Sequence, residues 1–167
     1  MGYTHSWRRP KNFGSVDITD MYIRLVADVK KIITQAERCG ISIGNFDGTN
    51  HGPTYDQNSF RFNGYGGLAH ETFLWECVPT DTAEWRKDEL DTFDFCKTAR
   101  APYDAVVTAV LIRVKHIYGE NVTISSDGLW DADELLGWHD GRELYETVFD
   151  EFAECPMELN KLQETFS

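Results

Sequence analysis

Apolar residues return at three- and four-residue steps through Tyr22, Ile23, Val26, Val29, Ile32, Ile33 and Ala36. That period predicts an amphipathic helix, with Thr19 as its N-cap and Gly40 as its stop. Val106, Val107, Val110, Leu111, Val114 and Ile117 form a second stripe. Pro102 and Asp104 suit the first turn of that helix, and Gly119 ends it. A third helix starts at Asp140 or Gly141, with Leu144, Tyr145, Val148, Phe149 and Phe152 facing inward. Short apolar runs at 3–7, 41–46, 60–63, 71–76 and 122–125 read as strands. Gly64-Tyr65-Gly66-Gly67 joins two of them as an antiparallel hairpin. Residues 47–59 read as an exposed loop, and 79–91 as a polar surface excursion with a helical turn around Trp85. The order is β-α-β-β-β-α-β-α. It predicts an α+β fold in one compact domain over 1–167, a mostly antiparallel sheet with two or three helices packed on one face. Residues 153–167 either continue as helix or form a loose tail.

Charge changes this picture at one end. The chain carries a formal net charge of -12. Twelve acidic and two basic residues lie from Asp127 onward, so the excess belongs to the C-terminal quarter. That quarter is either a solvated face or a surface that mimics nucleic acid. Nonspecific nucleic-acid binding by the whole protein is disfavoured, since phosphate contact needs clustered Lys and Arg. No apolar run reaches the length of a membrane span, and no signal-peptide core follows Met1. The widely spaced Cys39, Cys77, Cys96 and Cys155 predict reduced thiols in a cytosolic protein, not a zinc site. A lowered pKa for Cys96 beside Lys97 is the minor alternative. Composition leaves homo-oligomerisation open.

The candidate chemistry starts at residues 95–104. Lys97, Thr98 and Arg100 precede a helix N-terminus, where unpaired N–H groups favour an anion. The competing reading pairs Lys97 and Arg100 with the acidic C-terminal segment. Tyr3 and His5 share a strand face and could floor a pocket, with Thr4 and Trp7 set apart from them. Asn63, Gly64 and Tyr65 begin a loop whose glycines admit close backbone approach. It is neither a dinucleotide fingerprint nor a P-loop. His70 is a candidate general base, but its neighbour Glu71 points to the other face if both lie in a strand. No metal motif and no nucleophile motif is present, and no cofactor is predicted.

Met1-Gly2-Tyr3-Thr4-His5, Asn63-Gly64, His70-Glu71-Thr72-Phe73, Phe95-Cys96-Lys97-Thr98-Ala99-Arg100 with Pro102-Tyr103-Asp104, and Ser125-Ser126-Asp127-Gly128 occur together. As a set they resemble a family of small uncharacterised proteins of bacteria and their phages. Ser6 stands where an aromatic is usual, and Ala101 where a second cation is usual. Both departures weaken a ligand site. The resemblance implies that these segments meet in one site, and a phage setting would suit an anti-defence role.

Three functions follow as expectations. The first is binding and sequestration of a small anionic ligand, most simply a nucleotide or nucleotide-derived signal. Lys97, Thr98 and Arg100 would hold phosphate, and Tyr3, Trp7, Tyr65 or Tyr103 would stack the base. The second is an enzyme on such a ligand, with His5 or His70 as acid or base. The third is an acidic interaction protein acting through its C-terminal quarter.

Overall fold

The computed structural model describes residues 2–80, 84–131 and 137–158. In chain order the elements are β1 (Thr4–Pro10), α1 (Ile18–Arg38), β2 (Ile43–Gly44), β3 (Thr54–Tyr55), β4 (Ser59–Gly64) and β5 (Phe73–Glu76). They continue with β6 (Asp91–Lys97), α2 (Asp104–Tyr118), β7 (Thr123–Ser126) and α3 (His139–Phe149). The fold is α+β, as the pattern predicts. The sheet is divided, however. One sheet has the order β6-β1-β7, with β1 antiparallel to both neighbours. β6 and β7 are therefore parallel to each other, and α2 is the crossover between them. The other sheet centres on β4, which pairs antiparallel with β2, β3 and β5.

Two strands are missing from the predicted order: the two-residue β3, which lies in the expected loop 47–59, and β6. β6 is the longer omission. Its inward residues are small or polar, Thr92 and Cys96, and its outward ones are Phe93 and Phe95. The usual alternation is inverted, so a hydrophobicity pattern does not mark it as a half-buried strand.

The N-cap of α1 is Asp17, two residues before the predicted Thr19, and its carboxylate accepts from the Asp20 N–H at 2.9 Å. Its buried stripe is Tyr22, Leu25, Val29, Ile32, Ile33 and Ala36. Ile23 is 61% exposed, since the true phase runs through Leu25. α2 is buried on nearly every side, from Ala105 to Ile112 and at Val114. A helix apolar all round belongs in the middle of a core. α1 and α3 flank it. α3 stops at Phe149 because Asp150 turns left-handed, which leaves Phe152 90% exposed rather than inward. Residues 153–158 are irregular, and Met157 bridges to Ile124 of β7. The rest of the predicted tail lies outside the described residues.

Gly141 sets the approach of α3 to α2. A methyl group there would collide with the Thr108 hydroxyl and Cβ. That hydroxyl is itself bonded to the Asp104 and Ala105 carbonyls. Gly141→Ala is therefore expected to destabilise the fold by about 1–3 kcal/mol, the cost of overpacking, in spite of alanine's better helix propensity. Denaturant unfolding measures it.

Candidate functional site

His5, Trp7 and Arg9 are the inward residues of β1, and Tyr3, just before the strand, continues their face; each is less than 5% exposed. A two-residue period carries the whole set on one face, so Trp7 belongs with Tyr3 and His5 after all. Their surroundings then diverge. Trp7 lies in the core against Phe73 and Trp75. Arg9 is sandwiched by Trp75 and Tyr118 and donates to the Glu76 and Cys77 carbonyls. His5 and Tyr3 sit at the far end, where β6 turns into α2 and β7 ends.

There His5 joins three elements. Ser126 Oγ accepts the Gly128 N–H at 2.9 Å and the Trp138 Nε1–H at 3.0 Å. Both its lone pairs are thus engaged, so its proton goes to His5 Nδ1, 2.8 Å away. His5 is then the Nε2–H tautomer, and that nitrogen donates to Asp104 Oδ1 at 2.6 Å. The Thr98 hydroxyl donates to the same oxygen at 2.6 Å. Asp104 occupies the first turn of α2, where the helix dipole favours a carboxylate. The anion at this helix N-terminus is the protein's own.

Serine, histidine and aspartate in this order satisfy the connectivity of a nucleophile, its base and an orienting acid. The serine oxygen is nevertheless saturated, with two N–H groups received and one proton given. Attack on an electrophile needs a lone pair that is directed at it. Ser126 is accordingly expected to resist acylation by a fluorophosphonate probe, scored by mass spectrometry. Stoichiometric labelling would contradict a locked network.

Tyr3 is 2% exposed, and among the described residues its hydroxyl has no hydrogen-bond partner of good geometry. Gly128 packs so closely that a side chain there would overlap the phenol. Burial first, and then the Asp104 charge, push the Tyr3 pKa up to about 12, against the opposing pull of Arg100. The folded state thus favours the neutral phenol. Its contribution to stability is intact below pH ~10, the unfolded value, and is lost as pH rises toward 12. Denaturant midpoints measured across that range are expected to fall, and Tyr3→Phe should shallow the fall.

The turn from β6 into α2 carries Ala99 and Arg100 in left-handed conformation, with φ of 52° and 59°. Two consecutive non-glycine residues in that region are costly and need a reason. The turn lays the Arg100 guanidinium over the Tyr3 ring at 4.0 Å. Lys97 instead follows the outward side of β6, with its ammonium 5.7 Å from the Phe95 ring. Lys97, Thr98 and Arg100 therefore do not form one cradle. Thr98 is fully buried on Asp104, and the two cations leave the sheet on opposite faces.

The Asn63 amide is also structural. It donates to the Phe46 and His70 carbonyls and accepts from the Gly64 and His70 N–H groups. Gly64 is pressed against the Leu68 carbonyl and the Tyr103 ring. Tyr103 is buried and donates to the Glu71 carbonyl at 2.6 Å. His70 is exposed, and its Nδ1 donates to the Lys97 carbonyl at 2.6 Å. Tyr65 stacks on His51 at 3.7 Å, away from the Tyr3 network. Of the four aromatics expected to stack a base, Tyr3, Trp7 and Tyr103 are buried. Cys96 is fully buried too, and burial drives its thiol pKa up rather than down. Near the β6–α2 turn, His5 pairs through its backbone with Cys96 and Ser126, and Glu71 bonds with the Lys97 backbone.

Comparison with protein-family models, curated proteins and solved structures finds no match to this chain.

The open space near the network is a cleft of about 500 Å³ between the end of α1, the start of α2 and α3. Ile41, Pro102, Ala105 and Leu144 supply apolar walls, and Gln35, Thr147 and Cys39 line it as well. Among the described residues its charged groups are Arg100, Asp140 and Glu143. A recess of about 90 Å³, lined by Tyr3, Asp104, Gly137 and Gly141, shares Arg100, Pro102, Ala105 and Asp140 with it. His139, Asp140 and Glu143 each place a possible ligand atom within 4.8 Å of the others, all exposed. The α3 dipole accounts for carboxylates there without a metal. Asp104, Ser126 and Trp138 are the members that sequence reasoning missed. By its own chemistry Asp104 reads as a dipole partner of α2, Ser126 enters the sequence reading only within the resemblance segments, and Trp138 carries no local signal.

Proposed function

We propose that the protein binds a small anionic ligand of nucleotide size in the cleft between α1, α2 and α3. The observation that carries this reading is Arg100. Left-handed backbone sets its guanidinium at the junction of cleft and recess, stacked on Tyr3. Strained backbone of this kind concentrates at ligand sites. The cleft volume falls in the range of ordinary small-molecule sites, and its apolar walls suit a base. Asp140 and Glu143 would accept from ribose hydroxyls or an exocyclic amine, while a phosphate meets Arg100. The saturated Ser126 oxygen supports retention of the ligand without turnover, which is sequestration.

A thermal-shift series with nucleoside mono-, di- and cyclic phosphates tests the proposal. A ligand at about 100 times its Kd adds about 2.7 kcal/mol, or about 5–10 °C in Tm for a domain of this size. Thr147→Trp, an exposed change at the cleft wall, should remove the shift and leave the unliganded Tm unaltered. A shift that survives this blockage places the ligand elsewhere.

A further inference from the structure

β6 gives its large rings to solvent and its polar side chains to the core. Thr92 and Cys96 point inward and are nearly or fully buried. Phe95 points outward and is 43% exposed, with the Phe93 ring 6.0 Å away on the same side. The burial of apolar surface works against this arrangement, so it calls for an explanation.

The strand register defines the rest of the face. Thr123, Arg8 and Phe93 form one cross-strand row, and Ser125, Ser6 and Phe95 the next. In the third row Thr4 stands opposite Lys97. Arg8 lies over the Phe93 ring at 5.1 Å and Lys97 over the Phe95 ring at 5.7 Å. The two carboxylates at the ends are engaged. Asp91 pairs with Arg8 and Arg86, and Asp127 accepts the Thr4 N–H. The short helical turn Glu84–Arg86 reaches the Phe93 end of this face, its Arg86 guanidinium 5.6 Å from that ring, so Phe95 is the more open of the two rings.

We propose that the outer face of the β6-β1-β7 sheet is a platform for single-stranded nucleic acid. A flat sheet with exposed rings stacks unpaired bases, because every base has a π-face. Arg8 and Lys97 flank the rings at the positions that phosphates of a strand crossing the sheet would take. The hydroxyls of Ser6, Thr123 and Ser125 offer donors and acceptors to base edges. A protein partner is the poorer fit, since the centre of the face is hydroxylic rather than aliphatic. The acidic excess of the chain lies from Asp127 onward, and screening confines it to about 8 Å at physiological salt. Affinity rests on stacking, and duplex, whose bases are already stacked, is excluded. The face is separate from the cleft and does not depend on the nucleotide reading.

Fluorescence anisotropy with labelled single-stranded oligonucleotides, RNA and DNA, and with a duplex of equal length tests this. Single strands should bind and duplex should not. Phe95→Ala, at an exposed position, should weaken binding about ten-fold or more, the usual worth of one stacked base. With two phosphates neutralised, log K against log salt should have a slope of about -1.4. Arg8→Ala with Lys97→Ala should flatten that slope. Absence of single-strand binding at low salt overturns the proposal. So does equal binding of duplex, or affinity indifferent to Phe95→Ala in a variant whose unfolding midpoint matches the parent protein.

Discussion

Asp104→Ala is expected to lower the unfolding free energy by about 2–4 kcal/mol, a large share of the stability of an ordinary domain. Asp104 Oδ1 accepts from His5 Nε2 and from Thr98 Oγ1, both on residues that are fully buried. Removing the acceptor leaves two donors without partners, each at a cost of about 1–3 kcal/mol. Water can enter part of the way, because the Asp104 side chain is 16% exposed, so the sum falls short of its upper limit. The helix also loses a carboxylate from its first turn. Asp104→Asn keeps an acceptor oxygen and should cost about 1 kcal/mol. The ratio of the two effects, read from denaturant midpoints at constant m, separates the hydrogen bonds from the charge. Equal losses would mean that the charge, not acceptance, holds the network.

That network explains what a linear reading could and could not reach. The amphipathic period of α1 and the apolar run of α2 are local, and both helices stand where the pattern puts them. The hairpin of β4 and β5 is local in the same sense. β6 is not, because its alternation is inverted. His5, Asp104 and Ser126 are separated by 99 and 121 residues from His5 onward, and only the β6-β1-β7 register brings them together. Thr98 and Lys97 are neighbours in sequence but leave opposite faces of a strand end, so the anion cradle read from the sequence is no cradle in space. Arg100 escapes that fate because two left-handed residues turn it back over Tyr3, a geometry no side-chain pattern announces.

Arg100→Gly is expected to weaken ligand binding about ten- to hundred-fold while leaving stability within about 1 kcal/mol of the parent protein. Glycine removes the left-handed penalty at φ 59°, roughly 1 kcal/mol, which offsets the lost stacking on Tyr3. A hydrogen bond to a charged group is worth about 1.5–3 kcal/mol, so affinity for an anion should drop about ten- to hundred-fold or beyond detection. Arg100→Ala lacks the backbone relief and should lose stability as well as binding. Ala99→Gly should stabilise the protein by about 1 kcal/mol and leave binding intact, since it eases the same turn without touching the guanidinium.

The most direct measurement is calorimetric titration of the tightest nucleotide into the parent protein and into Arg100→Gly, with both folds verified by thermal unfolding. The account predicts a saturable one-to-one isotherm for the parent protein and at least a ten-fold weaker one for Arg100→Gly at unchanged Tm. An unchanged affinity in that folded variant would contradict it.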